Sequence, residues 1–261
     1  FNPDSDRMLG ALGYFDLMEA DASRKVMERR EEIMPMARAG QINTLLTGED
    51  KKVLTGERLE SAYAYQWCFA AIQRQYEKEL IPLYEEFKHT YPNSPYLAAM
   101  QGYYEEICAF HAPKKLADDI QFMTDTEDIS TMEALLSRFA GKKVYIDVWA
   151  TWCGPCKDEF AHEGVLHGLL EDKGYEMLYL SIDKDRDDSQ WREMVAYYKL
   201  RGYHARAGKA LISDLQRLFD ADGAMSIPWN MIVDTQGHIV QLHAPRASDT
   251  EALSAALDSV K

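Results

Sequence analysis

Two cysteines three residues apart, Cys153 and Cys156, are the residues whose type and spacing most directly specify a reaction. They lie in Trp152-Cys153-Gly154-Pro155-Cys156, between an apolar run and a stretch with helical periodicity. A thiolate at a helix N-terminus is stabilised by backbone N–H groups that lack an intrahelical partner and by the helix dipole. Cys153 is therefore expected to have a lowered pKa and to be the attacking sulfur. Cys156 follows one turn deeper on the same side of the helix. From there it can attack a mixed disulfide at Cys153, closing Cys153–Cys156 and releasing the reduced partner. A pair of this spacing is also half of many zinc sites. However, His162 and His167 follow Cys156 at a gap far shorter than the ~12 residues of a zinc finger, and they fall on different faces of the expected helix. Zinc is set aside on that spacing, and no cofactor is expected beyond the redox pair itself.

The elements that must position the pair are legible around it. Val144-Tyr145-Ile146-Asp147-Val148-Trp149 reads as a buried strand and Pro155 to Leu170 as the helix that follows. Met177 to Ile182 is a second strand, followed by a charged turn from Asp183 to Asp188 and a helix holding Trp191, Met194 and Tyr198. A further helix, around Leu211 to Phe219, leads to Pro228. Trp229–Val233 and His238–Leu242 then form a hairpin across Asp234-Thr235-Gln236-Gly237, and a last helix spans Thr250 to Val260.

Ahead of this α/β region the periodicity is helical from Asp16 to Ala112. Leu59, Tyr63, Trp67 and Ala70 form one stripe, with Pro82 expected to kink that helix or end it near Leu80. Ser94 is suited to N-cap a second helix with Pro95 at its first position, carrying Leu97, Met100, Tyr104 and Ile107 and stopping before Pro113. The change of pattern near residues 113–118 sets two domains, an all-α region over 1–115 and an α/β domain over 116–261.

Composition narrows the function. The net charge of −14, without a basic cluster interleaved with aromatics, disfavours nucleic acid as a partner. No run approaches the 18 or so apolar residues of a membrane span. Phe1-Asn2-Pro3-Asp4 resembles no signal peptide, so the sequence reads as a mature or truncated form. Cys68 and Cys108 sit beside Trp67 and Ile107 in neighbouring helices and read mainly as buried, inert thiols, with a structural disulfide as the minor alternative. Asp183 to Asp188 alternates carboxylates like a calcium loop but lacks its Gly and terminal Glu, so it reads as a solvated turn.

Taken together, the residues from Val144 to Lys157 resemble the active-site strand and motif of the thioredoxin superfamily, particularly its TlpA/ResA-like branch. Ser181-Ile182-Asp183-Lys184-Asp185 with its following helix resembles that branch's extra strand-helix insertion. Ser226-Ile227-Pro228 resembles the superfamily's cis-proline loop, and Ile232 to Val240 its late hairpin. The likeness covers about residues 117–261. It implies a thioredoxin-like fold, a central mixed sheet flanked by helices, placed after the helical region. It also implies that Asp147 lies beneath Cys156 and exchanges protons with it, because a carboxyl in an apolar site has a raised pKa. Pro228 would be the cis-proline facing the disulfide, leaving the Ile227 backbone to pair with an extended substrate held near Trp152, Gly154 and Pro155. Trp229 departs from the small residue or Thr usual there and puts the groove's shape in question.

The expected activity is a protein disulfide reductase of the bacterial envelope, acting on partner-protein disulfides and recharged by an upstream thiol donor. A lost N-terminal anchor is compatible with that placement. Two alternatives remain at this stage. One is a disulfide oxidase or isomerase; the other is a partner-binding module under redox control.

Overall fold

The computed structural model describes residues 35, 40–219 and 225–260. Residues 16–34 and 36–39 of the expected helical region lie outside the described residues. The chain divides into two compact units, residues 1–112 and 113–261.

In the first unit the described helices are α1 (Ile42–Val53), α2 (Gly56–Ile72), α3 (Leu80–Thr90) and α4 (Leu97–His111). Tyr63 and Trp67 of α2 are fully buried and donate to the carbonyls of Leu83 and Leu80, each at 2.8 Å, so one aromatic stripe fastens α2 to α3. The α2 helix ends at Ile72, well before Pro82, which instead lies in the first turn of α3. A missing N–H costs nothing there, because the first-turn amides have no intrahelical acceptor. The α4 helix starts two positions later than Pro95, at Leu97. Ser94 still serves its entry, its hydroxyl accepting from Tyr96 N–H.

The second unit holds β1 (Ile120–Phe122), α5 (Met132–Leu136), β2 (Lys143–Trp149), α6 (Gly154–Glu159), α7 (Glu163–Lys173) and β3 (Tyr175–Ser181). It continues through α8 (Asp188–Tyr198), β4 (Gly202–Arg206), α9 (Lys209–Phe219), β5 (Trp229–Val233), β6 (Ile239–Gln241) and α10 (Thr250–Asp258). The sheet order is β1-β4-β3-β2-β5-β6; β1, β4, β3 and β2 run parallel, whereas β5 and β6 are antiparallel to their neighbours. Strands β2 and β3 pair over seven residues, and both are buried throughout except at Lys143 and Glu176, as strands covered on both faces are. One core face gathers Val144, Ile146, Val148, Leu178, Leu180 and Met231 under α5 and α9.

The helix expected from Pro155 to Leu170 is interrupted by a 3-10 turn at Phe160–His162, and α7 closes on Gly174 in the left-handed conformation at φ +71°. Strand β4 was not foreseen. It is only five residues long, and Gly202, His204 and Arg206 interrupt the apolar pattern that marks the other parallel strands.

Candidate active site

The site stands at the C-terminal end of β2. Cys153 caps α6: its Sγ accepts from Cys156 N–H at 3.1 Å, and Pro155 occupies the first turn, where no amide is required. Cys153 and Cys156 are joined as a disulfide. Cys156 is wholly buried and Cys153 nearly so, while Trp152 beside them is 57 % exposed. Gly154 is half-buried and Pro155 exposed. The Ile227–Pro228 peptide bond is cis. In the β2–β5 register Val148 stands opposite Trp229, so Pro228 follows at the same end of the sheet from which the cysteine turn departs. Trp229 itself turns inward, 3 % exposed, with its indole donating to Leu242 O and its ring edge-on to Phe219. Its size is absorbed by the core.

Asp147 lies mid-strand in β2, 4 % exposed. Burial pushes its carboxyl up to about 7, helped by the negative charge of Glu159 and opposed by a hydrogen bond with Asn230 and by Arg246. Beside it is a cavity of about 10 Å³, room for about one water, lined among others by Glu159, Phe160, Glu163, Tyr179 and Asn230. Glu159 and Phe160 close the helix begun by the cysteines, so the acid and the redox pair share α6 as a wall. Glu159, half-buried, was not anticipated; it accepts from the N–H and hydroxyl of Ser248. Its signal in the sequence is its place one turn after Cys156.

Of the Asp183–Asp188 segment, Lys184, Asp185 and Arg186 are exposed as a solvated turn requires, and Asp183 departs from that expectation. Asp183 is 2 % exposed and accepts from Thr151 N–H, Thr151 Oγ1 and Ser181 Oγ. Burial raises its pKa, and those donors oppose the rise. Asp185 accepts from Arg206 at 2.7 Å, and Asp188 lies 3.5 Å from the same guanidinium, so even the outer carboxylates have a cation that distant sequence supplies. Lys157, next to Cys156, is buried with its ammonium donating to Thr151 O at 2.9 Å. Among the described residues no group of three His, Cys, Asp or Glu is arranged to hold a metal.

Cys68 and Cys108 are unlinked and half-buried, less enclosed than the core thiols expected. Burial still raises the Cys68 thiol to about 11, which keeps it protonated at neutral pH.

Residues 116–258, more than half of the chain, match the Redoxin family. Curated relatives include the thiol-disulfide oxidoreductase ResA of Bacillus thuringiensis subsp. konkukian, 26 % identical over 114 residues, covering 44 % of this chain and 61 % of that protein. The ResA of Oceanobacillus iheyensis is 36 % identical over 67 residues, covering 26 % and 35 %. The chain thus spans about 61 % of the length of the first of these relatives. Among solved structures, the thioredoxin domain of a thiol-disulfide oxidoreductase from Bacteroides vulgatus is 22 % identical, with a TM-score of 0.38, over 47 % of this chain and 81 % of that one. The family match together with the six-stranded mixed sheet flanked by helices makes the fold class thioredoxin-like, placed after a helical region.

Proposed function

The chain belongs to the Redoxin family, and from that membership we propose that residues 116–261 reduce disulfides in partner proteins through Cys153 and Cys156. The observation that carries the reading is Cys153 as the cap of α6, its sulfur receiving the Cys156 amide while Cys156 stays buried beneath it. A sulfur so placed is favoured as a thiolate, and the second sulfur meets only what is already bound to the first.

In the reduced enzyme the Cys153 thiolate attacks one sulfur of a partner disulfide, forming a mixed disulfide and expelling the partner's other sulfur, which takes up a proton. Asp147 then accepts the Cys156 proton. Cys156 attacks Cys153 Sγ, closing Cys153–Cys156 and releasing the second partner thiolate. Two electrons pass to the partner, and a thiol donor returns the pair to its dithiol form. With a pKa of about 7, Asp147 is suited to take that proton and return it near neutral pH. Trp152, Gly154, Pro155, Ile227 and Pro228 form the surface that receives an extended partner segment. The reaction needs no further cofactor in this scheme, and the likeness to ResA-type proteins supports a place in the bacterial envelope. No helix among the described residues is long and apolar enough to cross a membrane.

Insulin reduction with a thiol donor tests the reading; turnover that disappears in Cys153→Ser supports it, and its absence in the wild-type chain sinks it. Direction is measured by equilibration against glutathione and thioredoxin couples. Pro155 removes one amide near the sulfur, and an ionised Asp147 opposes a deeply depressed thiolate pKa. The potential is therefore expected below about −220 mV, nearer thioredoxin at about −270 mV than DsbA at about −120 mV. A value near the latter assigns the same residues to oxidation.

A further inference from the structure

Thr151, two residues before Cys153, is gripped from both sides by buried charged groups. Its N–H and its Oγ1 both donate to the Asp183 carboxylate, at 2.9 and 2.8 Å, and its carbonyl accepts from Lys157 Nζ at 2.9 Å. Thr151 and Asp183 are each 2 % exposed. Ser181 completes the arrangement from the end of β3, its hydroxyl donating to Asp183 Oδ2 and accepting from Asp183 N–H. Thr151 and Trp152 are the central residues of a turn closed by Cys153 N–H on Ala150 O at 3.0 Å. Holding the amide and the carbonyl of Thr151 therefore determines where that turn delivers Trp152 and Cys153.

We propose that Asp183 and Thr151 form a positioning clamp that fixes the turn before Cys153 and thereby sets how readily Cys153 ionises. The proposal rests on reading the cysteine pair as a thiol-disulfide site and deepens it. Hydrogen bonds to a buried carboxylate are short and strong, and here three donors converge on one group. A thiolate gains from an N–H donor only at hydrogen-bond distance, and the Cys156 amide stands at 3.1 Å from Cys153 Sγ. A looser preceding turn lets that contact lengthen, and the thiolate loses part of its donor. The clamp is anchored in turn, because Arg206 of β4 donates to Asp185 and to Glu127, each at 2.7 Å, holding down the loop on which Asp183 sits.

Removing the Asp183 charge would itself favour a nearby thiolate, so the discriminating variant leaves every charge in place. Thr151→Val keeps the β-branched shape and the amide but deletes the hydroxyl donor. The experiment is the pH profile of iodoacetamide alkylation at Cys153 in the reduced full chain, with the labelled residue identified by mass spectrometry. Thr151→Val should move the midpoint upward and slow alkylation at pH 7 about fivefold, the worth of roughly one hydrogen bond. Thr151→Ser, which restores the hydroxyl, should return both to wild type. Ser181→Ala loosens the same carboxylate from the β3 side, should shift the profile in the same direction, and decides the matter if Thr151→Val does not fold. A wild-type profile in a folded Thr151→Val or Ser181→Ala chain, or a Thr151→Ser chain that behaves like Val, overturns the clamp. Insulin reduction by the wild-type chain is read in parallel. Its failure speaks against the reductase reading alone, whereas an unshifted alkylation profile speaks against the clamp alone.

Discussion

Asp147 stands opposite Asn230 across the antiparallel β2–β5 pair, and Asn230 is the neutral hydrogen-bonding neighbour that offsets part of the burial penalty on the Asp147 carboxyl. Oδ1 of Asp147 has no hydrogen-bond partner among the described residues. A carboxyl at about 7 in the fold and near 4 in the unfolded chain binds its proton more tightly when folded. Stability therefore falls as pH rises from about 4 to about 7, and the penalty is complete above that range. Asp147→Asn should be near neutral at pH 4 and stabilising by up to about 4 kcal/mol at pH 8, measured by urea unfolding at each pH. In single-turnover assays the same variant should slow release from the mixed disulfide while leaving the first attack by Cys153 nearly unchanged. An equal stability change at both pH values refutes the assignment.

His204 makes the opposite contribution. It is fully buried on β4, stacked on Tyr179 at 5.1 Å between ring centroids, with Nε2 2.8 Å from Leu200 O. Burial pushes its pKa down to about 4. Below about pH 6.5 the unfolded chain takes up a proton that the folded one refuses, so stability falls with pH down to about 4, by up to about 3 kcal/mol. His204→Gln, uncharged throughout, should lose packing at every pH but remove that slope. Because Asp147 slopes the other way over an overlapping range, the wild-type profile should look flatter than that of either variant. Urea midpoints from pH 4 to pH 8 for the three proteins check this.

The division at residues 112 and 113 leaves the second unit with its own sheet and core. A fragment of residues 113–261 should be folded, melt cooperatively and retain insulin reduction. Circular dichroism melting curves and turnover of the fragment provide the check, and an unfolded fragment would mean that the two regions share a core.

Cys68→Ala with Cys108→Ala should leave insulin turnover within about twofold of wild type and cost about 1 kcal/mol or so in packing, since both thiols are half-buried and unlinked. A turnover loss with the fold intact would reveal a second redox relay.

The cysteine turn was legible in the sequence because its chemistry is local: Cys153, Pro155 and Cys156 need only a strand before them and a helix after them. The burial of Asp147 was legible too, as a charged residue inside an apolar strand, while the role expected of it beneath Cys156 came from the family resemblance. Asp183 was misread because its partners, Thr151 and Ser181, come from two strand ends that only the parallel β2–β3 pairing brings together. From sequence, six charged residues in a row look solvated. The β4 strand was missed because His204 and Arg206 break its pattern, and they are tolerated only because stacked rings and carboxylates from elsewhere surround them. The α2–α3 turn lies before Pro82 and not at it, because a proline that stops a helix from its interior is tolerated in a first turn, and sequence alone does not distinguish the two.

The insertion of β4 between β3 and β1 has a consequence for self-association. The sheet keeps its seven-residue strands, β2 and β3, in the middle and ends on both sides in strands of three residues, β1 and β6. An edge that short offers an incoming extended chain only two or three ladder hydrogen bonds, too few to template stacking of one molecule on another. The extended partner segments of the proposed reaction are of the kind most prone to add onto an open sheet. Three-residue rims would turn such chains away from the sheet margins and leave the cysteine end for the backbone pairing proposed above.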